Sequence, residues 1–503
     1  MNHNLYARFE ARFPAAADAP CLSLPDGRTI GYAELKAQSA RYAHLLRSLG
    51  AQPGDRVAAQ VEKSPAAVFL YLGALRAGCV FLPINPAYQR GELTHLLGDA
   101  RPHVYAVRTP DAAQGSAVAA LTGVAHTLTL DDDGNGGTLA EAAAAQPEHF
   151  DTVQRSADDL AAILYTSGTT GRAKGAMLSH HNLFTGVQTL HAQWRFQPGD
   201  VLLHILPIFH FHGLFVALHC ALWNGSQVLF EPRFDARRAV QLLSSATVCM
   251  GVPTNYVRML AEPGLDKAAC ARVRLFISGS APLLPDTFER FFERTGHTIL
   301  ERYGMTEGGM FASNPYDGER RCGTVGPALP GVSLRVVDDQ CQPVAPDAVG
   351  QIQVQGENVF VGYWNLPEKT RAEHTDDGFF RTGDLGRLSA DGYLTIVGRD
   401  KDLIISGGLN VYPKEIEEVL DGVPGVKESA VIGIRHPDFG EAVTAVVVPD
   451  ASAPHTADAD ALVQAVRAQL ASFKVPKHVH FVDELPRNAM GKVQKNLLRE
   501  RFA

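Results

Sequence analysis

Ten residues, Thr166-Ser-Gly-Thr-Thr-Gly-Arg-Ala-Lys-Gly175, gather four hydroxyls (Thr166, Ser167, Thr169, Thr170), three glycines (Gly168, Gly171, Gly175) and two cations (Arg172, Lys174). Glycine lets successive backbone N–H groups turn toward one point, and such a nest binds anions. The hydroxyls donate further hydrogen bonds and the cations supply charge. A plain polar turn needs two or three such residues, so the stretch points to phosphate chemistry. It departs from the nucleoside-triphosphatase pattern G-x-x-x-x-G-K-[ST], because Gly168 and Gly171 stand too close and Gly175 follows Lys174. That disfavours a kinase or GTPase.

Other residues carry chemistry of their own. Ile208-Phe-His-Phe-His-Gly213 places His210 and His212 two apart, so both point to one side if the segment is extended. Ser278-Gly-Ser-Ala281 is a run of small residues that a flat ring can approach closely. Tyr303-Gly-Met-Thr-Glu307 offers a ring, a hydroxyl and a hard carboxylate of the kind that holds a hard cation. Asp384, in Phe380-Arg-Thr-Gly-Asp-Leu385, can accept from two hydroxyls at once. Lys492 follows Gly491 in a loop just before a helix, whereas Lys495 and Arg499 read as solvated charges.

Elements must position these groups. Leu160–Tyr165 reads as a buried strand, and Ser179 as the cap of a helix after the loop. Tyr32–Leu49 and Ser64–Ala77 have helical spacing, and Asp55–Val61 and Cys79–Ile84 read as strands. Asp200–Pro207, Thr247–Pro253 and Val273–Ile277 are further strands, and with the segment ending at Arg302 they lead into polar turns. Such alternation predicts an α/β fold with a largely parallel sheet, whose ligand crevice lies outside the carboxyl ends of its strands. The Ala/Gly-rich stretch 110–146 reads as loose surface. From residue 324 short strands predict a small β-barrel or sandwich, and 414–503 reads as a small αββαβ-like unit.

Composition excludes several classes. The 503 residues are 46% apolar and 20% charged, ordinary for a globular protein of two to four domains. A net charge of −8 argues against bulk nucleic-acid binding. Seven cysteines scattered singly suggest neither a zinc site nor a disulfide framework and fit a reducing cytoplasm. No signal peptide and no membrane span is expected.

The order Thr-Ser-Gly-Thr-Thr-Gly-x-x-Lys-Gly, followed by Tyr303-Gly-Met-Thr-Glu307, Phe380-Arg-Thr-Gly-Asp-Leu385, Gly398-Arg-Asp-Lys401 and the Lys492 loop, resembles the acyl-adenylate-forming enzymes. That family comprises acyl-CoA synthetases, peptide-synthetase adenylation domains and beetle luciferases, and the resemblance runs from Tyr32 to Arg499. It implies a large N-terminal domain (1–398) of layered α/β subdomains plus the small barrel. A small, mobile α+β C-terminal domain (399–503) would follow. It implies ATP and CoA as co-substrates with Mg2+. ATP would be held by Thr166, Ser167, Gly168, Thr169, Thr170, Gly171, Lys174, Ser278, Gly279, Ser280, Ala281, Glu301, Arg302, Tyr303, Gly304, Met305, Thr306, Asp384, Arg399 and Lys492. Tyr303 would stack on adenine, Thr306 bind the α-phosphate and Asp384 the ribose, while Thr170 and Glu307 would hold Mg2+. Lys492 would stabilise charge as the carboxylate attacks the α-phosphate, and His210 would gate the acyl pocket. Ser406, Gly407, Gly408 and Lys414 would serve CoA, and Lys401 would be the hinge. A protein lysine acetyltransferase and deacetylase acting on Lys492 would be expected partners, because the working feature is its charge.

The acid must be chosen by other residues. Family members acting on fatty or aromatic acids carry a small or neutral residue where this chain has Arg302. A cation there is costly unless a carboxylate pairs with it. Arg258 and His212, with Ser280 and His210, would complete a pocket for a short diacid such as malonate, and the surrounding motifs resemble the malonate-activating members. Alternatively, Arg302 pairs with Glu301 or Asp317. Competing functions are a monocarboxylate acyl-CoA synthetase, an adenylating enzyme serving a carrier protein, and a non-catalytic nucleotide binder.

Overall fold

The computed structural model describes residues 2–503 except 17, 167–172, 407–408, 437–439, 451–457, 471 and 489–490. The chain divides into two compact units, Met1–Ser333 with Gln355–Gly378 and Leu334–Val354 with Phe379–Ala503. The fold is mixed α/β. No helix among the described residues is long and apolar enough to cross a membrane.

The first unit holds two sheets. The seven-stranded one runs, edge to edge, Gly362–Tyr363, Lys174–Ser179, Leu160–Thr166, Val80–Pro83, Arg56–Gln60, Val104–Arg108, His126–Leu130. The five strands from Leu160–Thr166 onward are parallel. The eight-stranded one runs Gly309–Ser313, Leu300–Met305, Leu275–Ser278, Val248–Gly251, Val201–His204, Gln227–Phe230, Pro20–Ser23, Thr29–Gly31, with only its two edge strands antiparallel. Parallel strands are covered on both faces, which is why Val201–His204, Val248–Gly251 and Leu275–Ser278 are buried at every residue. The helix Pro65–Arg76 is capped by Ser64 and buried from Ala66 to Arg76, so it is apolar on all sides. It crosses Tyr32–Ser48 at Gly73, where a Cβ would stand 2.6 Å from that of Tyr42.

Several sequence expectations need correction. The hydroxyl- and glycine-rich loop does not lead from a strand into a helix. It joins the antiparallel strands Leu160–Thr166 and Lys174–Ser179, and the helix capped by Ser179 follows the second strand. The strand Val201–His204 ends before the histidine pair, and His212 opens a π-helix, His212–Leu218, so the segment is folded rather than extended. Tyr303-Gly-Met lies within the strand Leu300–Met305 and not in a turn after it. Stretch 110–146 contains the helices Ala112–Thr122 and Thr138–Ala144 and the edge strand His126–Leu130. Its small residues allow close packing, since a Cβ on Gly115 would stand 2.8 Å from Val107.

In the second unit the expected barrel is, among the described residues, a four-stranded sheet in the order Val332–Val337, Gly350–Gly356, Phe380–Leu388, Leu394–Arg399, its last three strands antiparallel. A five-stranded sheet follows, built on the long hairpin Val426–His436 and Gly440–Pro449. It adds the short strands Ile404–Ser406 and Leu409–Val411, which the sequence reading missed. Helices Pro413–Asp421 and Ala459–Gln469 close its core through Ile416, Leu420, Leu462 and Val466.

Candidate active site

At the carboxyl ends of the parallel strands in the eight-stranded sheet, backbone register sets Gly251 beside Ser278 and Ser278 beside Glu301. The chain then turns through Gly279 and Ser280, whose φ of +70° is uncommon for a residue with a side chain. Arg302 is 3% exposed. Its Nε and Nη2 find no hydrogen-bond partner among the described residues, and neither do Ser278 Oγ and His212 Nε2. Burial pulls the Arg302 pKa down to about 9, against the smaller opposing influence of Tyr256 and Glu301. Of the two expected internal partners, the Glu301 carboxylate accepts from the Leu283 N–H at 3.1 Å and favours the Arg302 charge only in part, and Asp317 pairs with Arg195. An unpaired cation and several unpaired donors in one buried patch are expensive, and a bound anion would satisfy them.

Two histidines complete this patch. The His212 ring is buried, and its Nδ1 lies 3.4 Å from Ser280 Oγ. Burial, then Arg302, then His210 and His204 hold its pKa well below the usual histidine range. Packing around the His210 ring, with Arg302 nearby, lowers its pKa to about 4. Both rings are therefore neutral at physiological pH and can donate or accept without adding charge. Arg258 is not gathered with them; it is exposed on the helix Pro253–Leu260. Tyr303 is buried beside Phe311, ring centroids 5.7 Å apart, while Gly304, Met305, Thr306 and Ala281 are half-buried.

Ser167, Gly168, Thr169, Thr170 and Gly171 lie outside the described residues; the two ends of their loop do not. Thr166 Oγ1 donates to the Lys174 carbonyl at 3.4 Å. From the helix Arg90–Ala100, His95 Nε2 meets the Ala173 carbonyl at 2.8 Å and Asp99 accepts from the Tyr165 hydroxyl at 2.5 Å, so one helix braces both ends. Lys174 Nζ sits 3.2 Å from Glu373 and 4.2 Å from the Tyr363 ring centroid. The Tyr363 hydroxyl reaches Glu373 at 2.7 Å and Glu307 at 3.0 Å. Burial and the two carboxylates raise its pKa far above the usual tyrosine value. Burial would raise Glu373, but Lys369, Tyr363 and Lys174 together hold it below the usual carboxylate range. Lys174 and Glu307, distant in sequence, are thus joined through Glu373 and Tyr363. Sequence reading missed both linkers, which sit in no recognised motif; an acid four residues after Lys369 was the only local signal.

In the second unit Asp384 and Arg399 face each other across adjacent strands and form an ion pair at 2.8 Å. Lys492 lies in a tight turn: its N–H donates to Asn488 Oδ1 at 3.0 Å, and its carbonyl accepts from the Asn488 N–H at 2.9 Å. The side chain reaches solvent, yet protein packed around its ammonium and the charge of Arg399 lower its pKa to about 8, against Asp384 and Asp402. Lys495 and Arg499 are not simply solvated, as their positions near the chain end suggested. Lys495 pairs with Glu417 at 2.6 Å and Arg499 with Asp402 at 2.8 Å, which anchors the terminal helix Lys495–Phe502 and hence the Lys492 turn. Lys401 lies in the short 3-10 turn Asp400–Asp402. Ser406 is buried at a strand end, and Lys414 lies 3.9 Å from Glu418. Gly407 and Gly408 are outside the described residues.

Residues 9–364 match the model of the AMP-binding enzyme family, and residues 415–492 match that of the AMP-binding enzyme C-terminal domain. The chain is 33% identical over 519 residues to a malonate–CoA ligase of Arabidopsis thaliana, covering 94% of this chain and 85% of that protein. It is 37% identical over 481 residues to a feruloyl-CoA synthase of Amycolatopsis sp, covering 95% and 94%. Among solved structures it resembles ATP-bound MatB from Rhodopseudomonas palustris, with a TM-score of 0.97, 53% identity and coverage of 100% of this chain and 99% of that one. Matched over most of its length by that model, the chain belongs to the AMP-binding enzyme family.

Proposed function

We propose that the chain is an ATP-dependent malonate–CoA ligase. In the first half-reaction a carboxylate oxygen of malonate attacks the α-phosphorus of ATP, the bond to pyrophosphate breaks, and malonyl-adenylate forms. In the second, the CoA sulfur gives up its proton and attacks the acyl carbon, and AMP leaves. One observation carries the choice of acid: Arg302 is buried, and two of its nitrogens lack hydrogen-bond partners among the described residues. The distal carboxylate of a short diacid supplies the missing charge and acceptors, and a guanidinium fork matches it. Ser278, Ser280 and His212 offer further polar groups beside it. A monocarboxylate substrate, which the feruloyl-CoA synthase similarity favours, would leave that cation buried and unpaired. A panel of malonate, methylmalonate, acetate and butyrate tests the reading: diacids should lead in kcat/KM, and equal use of butyrate would overturn it.

The remaining roles are proposals of the same kind. Thr166, Lys174 and the loop between them take the phosphates, Tyr303 and the Ser278–Ala281 turn the adenine, and Asp384 with Arg399 the ribose. Glu307, a buried carboxylate oriented by Tyr363, suits one protein ligand of Mg2+, which commonly takes one or two carboxylates and completes its shell with water and phosphate. Bound there, the ion would neutralise phosphate charge. Lys492 serves the first half-reaction, and Ser406 to Gly408 with Lys414 serve the second. Both sets lie beyond Lys401, so a turn of the chain about that residue would present each in its step. Lys401→Pro fixes φ and should slow thiolation while sparing adenylation; normal rates in both steps would remove the hinge from the account. Acetylation of Lys492 by a protein acetyltransferase would abolish adenylation, which incubation with a chemically acetylated enzyme checks.

A further inference from the structure

Lys63 is 6% exposed, follows the strand Arg56–Gln60, and has no part in the chemistry above. Its Nζ lies 2.7 Å from the His204 carbonyl and 2.8 Å from His204 Nδ1. Burial keeps the imidazole neutral, and the Gly213 carbonyl beside Nε2 can only accept, so the one ring proton sits on Nε2 and Nδ1 accepts from Lys63. That nitrogen lies 2.9 Å from the Gly213 carbonyl, to which it donates. Gly213 directly follows His212 at the opening of the π-helix, and the loop is folded so tightly there that a Cβ on Gly213 would stand 2.0 Å from the Pro207 carbonyl oxygen. The His210 carbonyl accepts from Leu214 at 3.0 Å. The path Lys63, His204, Gly213 therefore runs from one sheet, through a strand end of the other, into the segment that carries His210 and His212.

We propose that Lys63 and His204 are positioning residues. Lys63 fixes the Nε2–H tautomer of His204, and His204 pins the opening of the π-helix, so that His212 is held against Arg302 and Ser280. The effect on substrate rests on the acid-pocket reading above. Burial drives the Lys63 pKa well below the usual lysine value, and Glu231, the carboxylate that opposes this, is itself engaged by Arg238 at 3.4 Å, so a lysine in this place is otherwise costly.

Lys63→Met keeps the side chain as far as Cε and removes the donor. In the full-length enzyme it should raise KM for malonate about ten- to a hundredfold, with KM for ATP nearly unchanged, because only the acid pocket loses alignment. His204→Leu should match it, and the double variant should be no worse than either single one, as expected of two links in one path. His204→Gln, whose amide can accept from Lys63 and donate to Gly213, should stay within about threefold of wild type. Two readouts need no substrate. Amides 205–214 should exchange faster with deuterium in Lys63→Met, and histidine 15N spectra should lose one fixed Nε2–H tautomer, the signal also missing in His204→Gln. Unchanged exchange and an unchanged tautomer, or equal rises in both KM values, would overturn the proposal. If the wild-type enzyme fails to use malonate, the acid-pocket reading falls, while exchange and tautomer still decide the path.

Discussion

The guanidinium of Arg302 lies against the α-carbon of Gly279, so close that a Cβ there would stand 2.4 Å from Cζ and 2.6 Å from Nε. The missing side chain at residue 279 is what lets a large cation occupy the end of the parallel sheet. Its charge faces a patch where Ser278 Oγ, His212 Nε2 and two of its own nitrogens have no hydrogen-bond partner among the described residues. A fold seeking only stability would fill this place with a hydrocarbon.

Stability should accordingly rise when the charge is removed. Arg302→Met should make the unliganded protein more stable, by about 1–4 kcal/mol, as when other buried charges are replaced by apolar groups of like volume. Urea unfolding without ligands measures it. A loss of stability would mean that Arg302 is already satisfied within the fold.

Tyr363 should govern the Mg2+ requirement. Tyr363→Phe removes the hydroxyl that reaches both Glu307 and Glu373. With Glu307 no longer held, the Mg2+ concentration for half-maximal adenylation should rise roughly tenfold, the equivalent of a hydrogen bond to a charged group of about 1.5 kcal/mol. KM for CoA should not move. Equal Mg2+ dependence in both proteins would separate Glu307 from the metal.

Lys492 should show itself in the pH profile of the first half-reaction. Its ammonium is proposed to stabilise charge, and its pKa is lowered to about 8. The charged form therefore prevails below that pH and is lost above it, so adenylate formation should hold through neutrality and fall as pH rises past about 8. In Lys492→Arg the fall should be absent, because guanidinium stays protonated, whatever the absolute rate. Lys492→Ala should cripple adenylation far more than the transfer of preformed malonyl-adenylate to CoA. A profile rising through that pH would contradict the role.

How much of this was legible in the sequence depended on whether local pattern or long-range contact decided the outcome. The strand Leu160–Thr166, the helix with Pro65 at its first position, the Ser179 cap and the strands Val248–Gly251 and Leu275–Ser278, each found inside or within a residue or two of its expected bounds, follow from periodicity and capping chemistry, which act over a few residues. Arg302 stood out through the family resemblance, which implies a small or neutral residue there in members acting on fatty or aromatic acids, and because a cation in an acyl pocket needs a partner. The π-helix at His212 was missed, because the alternation of Phe and His fits a strand until Gly213 packs on the Pro207 carbonyl. The pairs Lys495–Glu417 and Arg499–Asp402, and the bridge Tyr363–Glu373, join residues on different elements, and in sequence a charge looks the same whether solvated or paired. Lys63 gave no signal at all, for its burial is created by a second sheet.

The most direct measurement of the central claim is the ratio of malonate to butyrate use, as kcat/KM, in wild type and in a folded Arg302→Leu variant. Removing one partner of a buried charge pair costs about 2–5 kcal/mol, so malonate should lose roughly 30- to 4,000-fold. Butyrate has no second charge to strand, and its use should hold or improve in the apolar pocket. The account predicts a ratio that collapses by at least about thirtyfold. A parallel fall for both acids, with the ratio unchanged, would contradict it and make Arg302 a structural residue.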